Sequence, residues 1–249
     1  MRTARRGTIL WLPGWSMAPA VFDQLRSELP DYHHALLDYS NAKAPDDMLA
    51  LTEAAAAKWR ANSTENSPLI IGGWSLGGLL ALRLAAKGLT DGLILFAATA
   101  RFIRPKDEAE LGQPDAYVRQ MMRALTTDAA VVETKFRQRL WTNDEQRAGK
   151  CDKLPPIGGW AVPALLAGLH ILRNEEVKSV LSKIACPVLL IHGVEDEICP
   201  YQAAKELADG LPQAQLLSIP GCGHVPFLGR EKEIAEEVRR WWNEQQHGG

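Results

Sequence analysis

Short apolar runs, most of them bounded by Gly or Pro, recur towards both ends of the chain. Runs of this kind with little polar alternation are typical of strands that are buried on both faces of a sheet. We assign strands to residues 8–12, 69–71, 93–98, 188–191 and 215–219, and a further one near 33–38. Stretches with helical spacing of apolar residues separate them, at 46–61, 76–87, 201–210 and 230–243. This alternation predicts the α/β class, with a mostly parallel sheet flanked by helices.

The alternation stops between residues 101 and 184. This segment has helix-like apolar spacing and no run that is typical of a strand. Its predicted helices are 114–126, 128–141, 162–173 and 175–184. A block of helices within an α/β chain indicates an inserted cap. The sequence therefore predicts a core formed by residues 1–100 and 185–249, and a helical cap at 101–184.

The composition fits one globular domain and argues against two kinds of partner. The chain has 249 residues, of which 46% are hydrophobic, enough to bury a sheet-and-helix core. A net charge of -2 gives no field that would attract nucleic acid or an anionic membrane. No apolar stretch is long enough to cross a bilayer. We therefore expect neither nucleic-acid binding nor membrane binding.

The N-terminus and the cysteines indicate a cytoplasmic protein. Residues 1–6 are basic, but the apolar run behind them ends at Pro13 and Gly14, before the core of an export signal could form. The four cysteines lack C-x-x-C spacing, which argues against a zinc site or a redox motif. Reduced thiols fit a cytoplasmic location. We expect neither a metal nor a cofactor.

A G-x-S-x-G pattern lies where a predicted strand meets a predicted helix. It reads Gly73-Trp74-Ser75-Leu76-Gly77, after the apolar run 69–71 and at the start of the helical stretch 76–87. A serine on such a tight turn is presented as a nucleophile, and small neighbours give the backbone room to turn. We predict that Ser75 is a catalytic nucleophile. The alternative is a glycine-rich helix start at which Ser75 is only the N-cap.

A serine nucleophile needs a base within hydrogen-bond reach and a carboxylate that orients this base. Of the six histidines, His224 follows the last predicted strand in a glycine-containing loop, whereas His192 ends a strand and fits a structural role. The turn after the preceding strand offers three carboxylates. We predict that Asp196 is the acid, because the chain order Ser-Asp-His accompanies a serine on this kind of turn. Glu195 and Glu197 are then expected to face solvent.

Two backbone N–H groups are candidates for binding the oxyanion that forms during acyl transfer. That of Leu76 lies at a helix start, where the helix dipole is favourable to negative charge. The second donor is expected in the loop after the first strand, at Trp15. The indoles of Trp15 and Trp74 would form a wall of the acyl site, although tryptophan at a sheet edge is at least as often plain core.

These residues resemble the BioH family of carboxylesterases, which remove the methyl group from pimeloyl-acyl-carrier-protein methyl ester in biotin synthesis. The likeness covers most of the chain. It is carried by Gly73-Trp-Ser-Leu-Gly-Gly78, Phe136-Arg-Gln-Arg-Leu140, Gly168-Leu-His-Ile-Leu172 and Gly221-Cys-Gly-His-Val-Pro-Phe227. The resemblance implies an α/β-hydrolase fold, a triad of Ser75, Asp196 and His224, and an oxyanion site at the amides of Trp15 and Leu76.

The resemblance also implies how the cap contributes to binding. Phe136, Leu140 and His170 would line a substrate channel. The cap segment 117–153 holds eight Lys or Arg and five Asp or Glu, a local charge of +3. The simplest interpretation is a solvated helix face. In a BioH-like enzyme the same charge would bind the acidic carrier protein, through Arg123, Arg137, Arg139 and Arg147.

Two loops depart from the pattern of that family. Pro13-Gly14-Trp15 stands where the family has His-Gly-Trp, and the segment 38–45 replaces its Asp-x-Pro-Gly-x-Gly-x-Ser loop. These differences affect the prediction of the substrate more than the prediction of the triad. The alternatives are an esterase for another small acyl substrate, a lyase like the menaquinone-pathway enzyme MenH, or a non-catalytic binding protein with the same shell.

Overall fold

The computed structural model describes residues 6–64 and 67–247. Its centre is a sheet of six strands in the order β2-β1-β3-β4-β5-β6, in which every neighbouring pair is parallel. The strands are β1 (Thr8–Leu12), β2 (His33–Leu36), β3 (Leu69–Trp74), β4 (Gly92–Phe96), β5 (Val188–Gly193) and β6 (Ala214–Ile219). All the predicted strands are present, and the predicted α/β class is confirmed.

Only β1 has its predicted bounds, and the largest change, an extension by three residues, is in β3. β3 continues beyond its apolar run, because the residues up to Trp74 still pair with β4. All six of its residues are buried, as expected for a strand that is covered on both faces. β2 ends at Leu36 and does not reach Asp38. The side chain of Asp38 instead accepts a hydrogen bond from the Ser40 N–H (2.8 Å) in the following loop.

Helices flank the sheet and fill the connections between strands. They are α1 (Asp23–Ser27), α2 (Pro45–Arg60), α3 (Leu76–Ala86), α4 (Asp115–Leu125), α5 (Ala129–Gln138), α6 (Asn143–Arg147), α7 (Val162–Asn174), α8 (Tyr201–Gly210) and α9 (Glu231–His247). α3 contacts both β3 and α7. It is apolar almost all round because it packs between the sheet and the helices above it. Within the described ranges, no helix has the length and the apolar character needed to cross a bilayer.

The segment between β4 and β5 is described throughout and contributes no strand to the sheet. It contains α4 to α7, together with short 3-10 helices. The predicted helix 128–141 ends at Gln138, because Thr142 begins α6 with a capping box that it forms with Glu145. The predicted helix 175–184 is only a 3-10 helix, Lys178–Lys183. We refer to residues 101–184 as the cap.

Both ends of the cap are attached to α8 of the core through Glu206. At the start of the cap, the fully buried guanidinium of Arg104 binds the Glu206 carboxylate. Near its end, Lys178 Nζ lies 2.8 Å from Glu206 Oε1. Burial alone would raise the pKa of Glu206, but these two cations outweigh burial and lower it. The attachment joins both ends of the cap to the helix that packs against β5 and β6.

Candidate active site

Ser75 lies on the turn between β3 and α3 in a strained conformation. Its φ of 54° and ψ of -114° lie in a region that non-glycine residues rarely adopt. The Ser75 N–H donates to the Phe96 carbonyl (3.0 Å), and the Ser75 carbonyl accepts from Gly78 (2.9 Å) and Leu79 (3.1 Å). Strain of this kind persists only where the surroundings fix it, and it is concentrated at active sites.

The two glycines of the pattern are required by the packing of this turn. A Cβ atom on Gly77 would lie 2.0 Å from the Leu12 carbonyl oxygen, and one on Gly73 would lie 2.4 Å from the Gly77 carbonyl oxygen. A side chain at position 77 would separate α3 from the end of β1, and one at position 73 would separate β3 from the start of α3. Because both positions lack a side chain, the β1 loop, residues 13–17, lies next to Ser75.

Two unused amides lie beside this serine. Gly14, which precedes Trp15, is so close that a Cβ atom on it would lie 3.5 Å from Ser75 Cβ. Neither the Trp15 N–H nor the Leu76 N–H donates a hydrogen bond to any residue in the described part of the chain. Leu76 begins α3, so its N–H points away from the helix at the positive end of the dipole. This arrangement can bind a negatively charged oxygen.

The structure brings His224 and Asp196 together in the interior. His224 follows β6 in the β6 loop, residues 220–227, and Asp196 follows β5. His224 Nδ1 lies 2.7 Å from Asp196 Oδ2, and Asp196 Oδ1 accepts from the backbone N–H groups of Ile198 (2.8 Å) and Cys199 (3.0 Å). The other ring nitrogen, His224 Nε2, is buried and has no hydrogen-bond partner among the described residues. Ser75 Oγ therefore does not donate to His224 Nε2 in this structure, although this nitrogen is free to accept a proton.

The surroundings of Asp196 keep it ionised. Burial alone would raise the pKa of this carboxyl, but the charge of His224 and hydrogen bonds from His192 and His224 outweigh burial and hold the pKa well below its usual range. His192 Nε2 lies 3.3 Å from Asp196 Oδ2 and 2.7 Å from the Cys199 carbonyl oxygen. The sequence interpretation missed this contact of His192, which its four-residue spacing from Asp196 could have indicated.

The two neighbouring glutamates behave differently from one another. Both Glu195 and Glu197 are exposed, as expected. However, Glu195 does not only face solvent. Its carboxylate accepts a hydrogen bond from the Cys222 N–H (3.0 Å), and its own N–H donates to the Cys222 carbonyl (3.0 Å). Glu195 therefore ties the turn after β5 to the β6 loop.

A small apolar cavity of about 10 Å³ adjoins Ser75 beneath the cap, roughly the space of one water molecule. It is lined by Trp15, Ser75, Phe102, Tyr117, Met121, Phe136, Leu169, Leu172 and Ile198. The Trp15 indole N–H donates to the Leu165 carbonyl in α7 (2.8 Å). Its ring packs edge-on against Phe136, with centroids 5.0 Å apart. Trp15 and Phe136 thus lie at the cavity, where they were predicted.

Three other residues predicted to contact substrate do not line this cavity. The Trp74 indole N–H donates to the His224 carbonyl (2.8 Å), and its ring packs edge-on against Phe227 (5.4 Å), so Trp74 supports the β6 loop. Leu140 is fully buried, and its carbonyl accepts from the His224 N–H (2.7 Å). His170 is half-buried on α7, where Leu169 and Leu172 face the cavity instead.

A larger surface groove lies on the cap beside the cavity. This cap groove has a volume of about 270 Å³, and Lys135 and Arg139 are among its lining residues. Tyr117, Met121 and Phe136 line both the groove and the cavity, so they separate one from the other.

The four arginines predicted to bind a carrier protein are in different environments. Arg123 is exposed, and Arg147 is exposed with an ion pair to Asp144 (2.9 Å). Arg139 is half-buried, with its guanidinium 4.5 Å from the centroid of the Tyr117 ring. Arg137 points inward and donates to backbone carbonyls, including that of Ser16 (3.2 Å). Because its guanidinium is bound internally, Arg137 is not free to contact a carrier protein.

Comparison with known proteins identifies the group to which this site belongs. The sequence profile described as "Serine aminopeptidase, S33" matches residues 40–232. The chain belongs to this family. It is a serine hydrolase of carboxylic esters with the α/β-hydrolase fold, as the resemblance implied.

Curated relatives extend over most of the chain. A pimeloyl-acyl-carrier-protein methyl ester esterase of Nitrosomonas europaea is 32% identical, over 88% of this chain and 89% of its own length. One of Xanthomonas oryzae pv. oryzae is 31% identical, over 94% of each chain.

Solved structures share the fold at low sequence identity. An esterase from Thermogutta terrifontis superposes with a TM-score of 0.77 at 20% identity, covering 98% of this chain and 92% of its own. MenH from S. aureus superposes with a TM-score of 0.73 at 16% identity, covering 99% and 97%. Because an esterase and MenH share the architecture, the fold alone does not select the reaction.

Proposed function

We propose that the chain is a carboxylesterase that hydrolyses the methyl ester of a pimeloyl group carried on acyl carrier protein, in biotin synthesis. The observation that carries this proposal is the similarity to relatives named for that substrate, which extends over 88% and 94% of the chain. The four cysteines are all free, which fits action in the cytoplasm, where thiols stay reduced.

In the proposed reaction, Ser75 Oγ attacks the ester carbonyl carbon while His224 Nε2 takes the serine proton. Asp196 accepts a hydrogen bond from Nδ1 and stabilises the imidazolium. The amides of Trp15 and Leu76 bind the oxyanion of the tetrahedral intermediate, and each donor of this type contributes about 2.7–4 kcal/mol to transition-state stabilisation. The imidazolium then protonates the departing methoxide, which leaves as methanol.

The second half of the reaction uses the same groups. Water enters, His224 takes one of its protons, and the resulting hydroxide attacks the acyl-enzyme. Collapse of the second tetrahedral intermediate returns the proton to Ser75 and releases the carrier-bound pimeloyl group with a free carboxyl.

In the proposed complex, the cavity binds the pimeloyl end of the substrate and the cap binds the carrier protein. The methylene chain of a pimeloyl group is apolar, as is the lining around Trp15 and Phe136. A cavity of about 10 Å³ cannot hold such a chain. Binding therefore requires Tyr117, Met121 and Phe136 to move apart, which would join the cavity to the cap groove. The carrier would then dock on exposed cap arginines.

The deciding experiment compares two substrates with two serine variants. Purified protein is given the carrier-linked pimeloyl methyl ester and a short p-nitrophenyl ester. We expect Ser75→Ala to lower kcat on both by on the order of 10⁶-fold, the scale at which a nucleophile is lost. Ser40→Ala is the matched control, because Ser40 and Ser75 are both 6% exposed.

Three outcomes would contradict the proposal at different levels. Full activity of Ser75→Ala on the small ester would show that Ser75 is not the nucleophile and would rule out the proposed triad. Cleavage of the small ester without cleavage of the carrier-linked ester would contradict the proposed pimeloyl substrate. The proposal that the protein is an esterase would still stand. A wild-type protein that fails to react with a fluorophosphonate at Ser75 would support a non-catalytic shell.

A further inference from the structure

Two buried carboxylates of the cap take no part in the proposed reaction. Glu133 lies on α5 and Glu145 on α6, with relative exposures of 2% and 3%. A carboxylate at this depth is destabilising unless polar partners surround it. Each of the two has such a partner in a different active-site loop, Glu133 in the β1 loop and Glu145 in the β6 loop.

Glu133 binds the β1 loop one residue after the proposed oxyanion donor. The Ser16 hydroxyl donates to Glu133 Oε1 at 2.5 Å, and Ser16 is itself buried. Ser16 has a φ of 63°, in the left-handed region that disfavours non-glycine residues. A side-chain hydrogen bond to a fixed helix opposes relaxation of this residue. A change of φ at Ser16 would rotate the Trp15–Ser16 peptide and shift Trp15, the residue whose N–H is the proposed oxyanion donor.

Arg137 reinforces the same contact one helical turn later. It donates through Nη2 to the Ser16 carbonyl (3.2 Å), so α5 holds both the side chain and the backbone of that residue. Burial lowers the pKa of Arg137, and the nearby charge of Glu133 opposes this effect.

Glu145 binds the β6 loop one residue before the proposed base. Its Oε2 accepts from the Gly223 N–H (2.9 Å) and from the Thr142 N–H (3.2 Å), and its Oε1 faces Lys150 (3.2 Å). The next N–H of the loop, that of His224, donates to the Leu140 carbonyl (2.7 Å). Consecutive amides of the β6 loop are thus bound by groups of the cap.

We propose that Glu133 and Glu145 are positioning residues through which the cap holds the β1 loop and the β6 loop in their reactive geometry. The inference rests on the proposed roles of Trp15 and His224. The cap then has a second role besides substrate binding. The oxyanion donor and the base keep their positions relative to Ser75 only while α5 and α6 are in place.

The test measures hydrolysis of a short p-nitrophenyl ester, which does not depend on the carrier protein. Glu133→Ala and Glu145→Ala are each expected to lower kcat by about 10- to 100-fold, because displacement of a reactive group by roughly 1 Å costs rate on this scale. KM should stay within about twofold, since neither carboxylate lines the cavity. Glu133→Gln should recover most of kcat, because the amide oxygen still accepts from Ser16.

Two further measurements separate positioning from general destabilisation. Glu133→Ala should weaken binding of a trifluoromethyl ketone, which forms an oxyanion on Ser75, in proportion to its loss of kcat/KM. Glu145→Ala should slow fluorophosphonate labelling of Ser75 by the same factor as kcat, because labelling needs His224. Asp91→Asn is the control, because it weakens an ion pair with Arg60 in the core and touches neither the cap nor the two loops.

The inference is overturned if the alanine variants lose no more kcat than Asp91→Asn at an equal loss of Tm. If the alanine variants do not fold, Ser16→Ala tests the first contact from the side of the loop, and Glu145→Met, which fills the space without an acceptor for the Gly223 N–H, tests the second. Normal kcat in both of these would also overturn it. Failure of the triad itself would appear separately, as an active Ser75→Ala.

Discussion

Asp196 and Glu145 are two buried carboxylates whose ionised form is favoured for the same physical reason. For both, burial alone would raise the pKa, and hydrogen bonds from fixed donors together with nearby positive groups reverse the direction. The donors to Asp196 include histidine side chains, whereas those to Glu145 include the backbone amides of Gly223 and Thr142. The residue type alone does not indicate that a carboxylate is buried and ionised. Its lowered pKa arises from the groups that the fold places around it.

The lowered pKa of Glu145 predicts a defined pH dependence of stability. The unfolded chain binds this proton more tightly than the folded protein does, so the contribution of Glu145 is complete above its unfolded pKa of about 4.3 and is lost as the pH falls. Between about pH 5 and 3, the free energy of unfolding of the wild type should therefore decline more steeply than that of Glu145→Gln. Urea titrations at several pH values measure both slopes. Parallel curves would contradict the prediction.

Among the elements, the unit formed by β3, the turn at Ser75 and α3 concentrates the constraints of the site. α3 begins where the end of β1 approaches most closely, which is possible only because position 77 lacks a side chain. The same approach places the β1 loop beside Ser75. Stability and function are therefore coupled at this contact.

Gly77→Ala is expected to damage both properties together. Its Cβ atom would lie 2.0 Å from the Leu12 carbonyl oxygen, so β1 and α3 must move apart. We expect a loss of about 3 kcal/mol in the free energy of unfolding, the upper part of the usual cost of overpacking, together with a lower kcat. Thermal denaturation and ester hydrolysis measure the two effects.

Gly159→Ala provides the control for this substitution. No atom lies within 4 Å of a Cβ atom built at Gly159, which is exposed in the cap. It should therefore be tolerated. If Gly77→Ala were as stable and as active as Gly159→Ala, the close approach would not constrain the site.

For the molecule as a whole, charge is distributed unevenly. The chain totals -2, whereas the cap segment 117–153 carries +3. Arg123 and Arg147 are exposed within that segment, and Arg123 is adjacent in sequence to Ala124 of the cap groove. A local positive surface of this kind accelerates encounter with an acidic partner and makes the encounter sensitive to salt.

Charge reversal at Arg123 and Arg147 tests this surface. The double variant to Glu should lower kcat/KM for the carrier-linked ester by about tenfold and reduce its dependence on salt, because rim charges act mainly on association. Hydrolysis of the p-nitrophenyl ester should not change. Arg240→Glu on α9, an exposed arginine outside the cap, is the control. Equal losses on the two substrates would argue against docking at the cap.

The sequence by itself determined the strands, the order of the core elements and the place of Ser75. These features depend on local patterns, since buried parallel strands are continuous apolar runs and a strand-to-helix turn needs small residues at fixed spacing. The sequence also predicted that His224, after the last strand, lies at the same sheet edge as Ser75, because the carboxyl ends of parallel strands lie along one edge of a sheet. The choice of Asp196 among three neighbouring carboxylates agrees with its contact to His224.

Only the tertiary structure decided which side chains meet across the cap. The sequence does not show that Trp74 supports the β6 loop, that Arg137 points inward, or that Glu133 and Glu145 hold the active-site loops. Each of these contacts joins residues at least 78 positions apart, and the most distant joins residues 150 apart. Such pairings depend on how helices pack against loops, which the periodicity of a single element does not encode. Charged residues in a helical segment look like a solvated face until packing turns some of them inward.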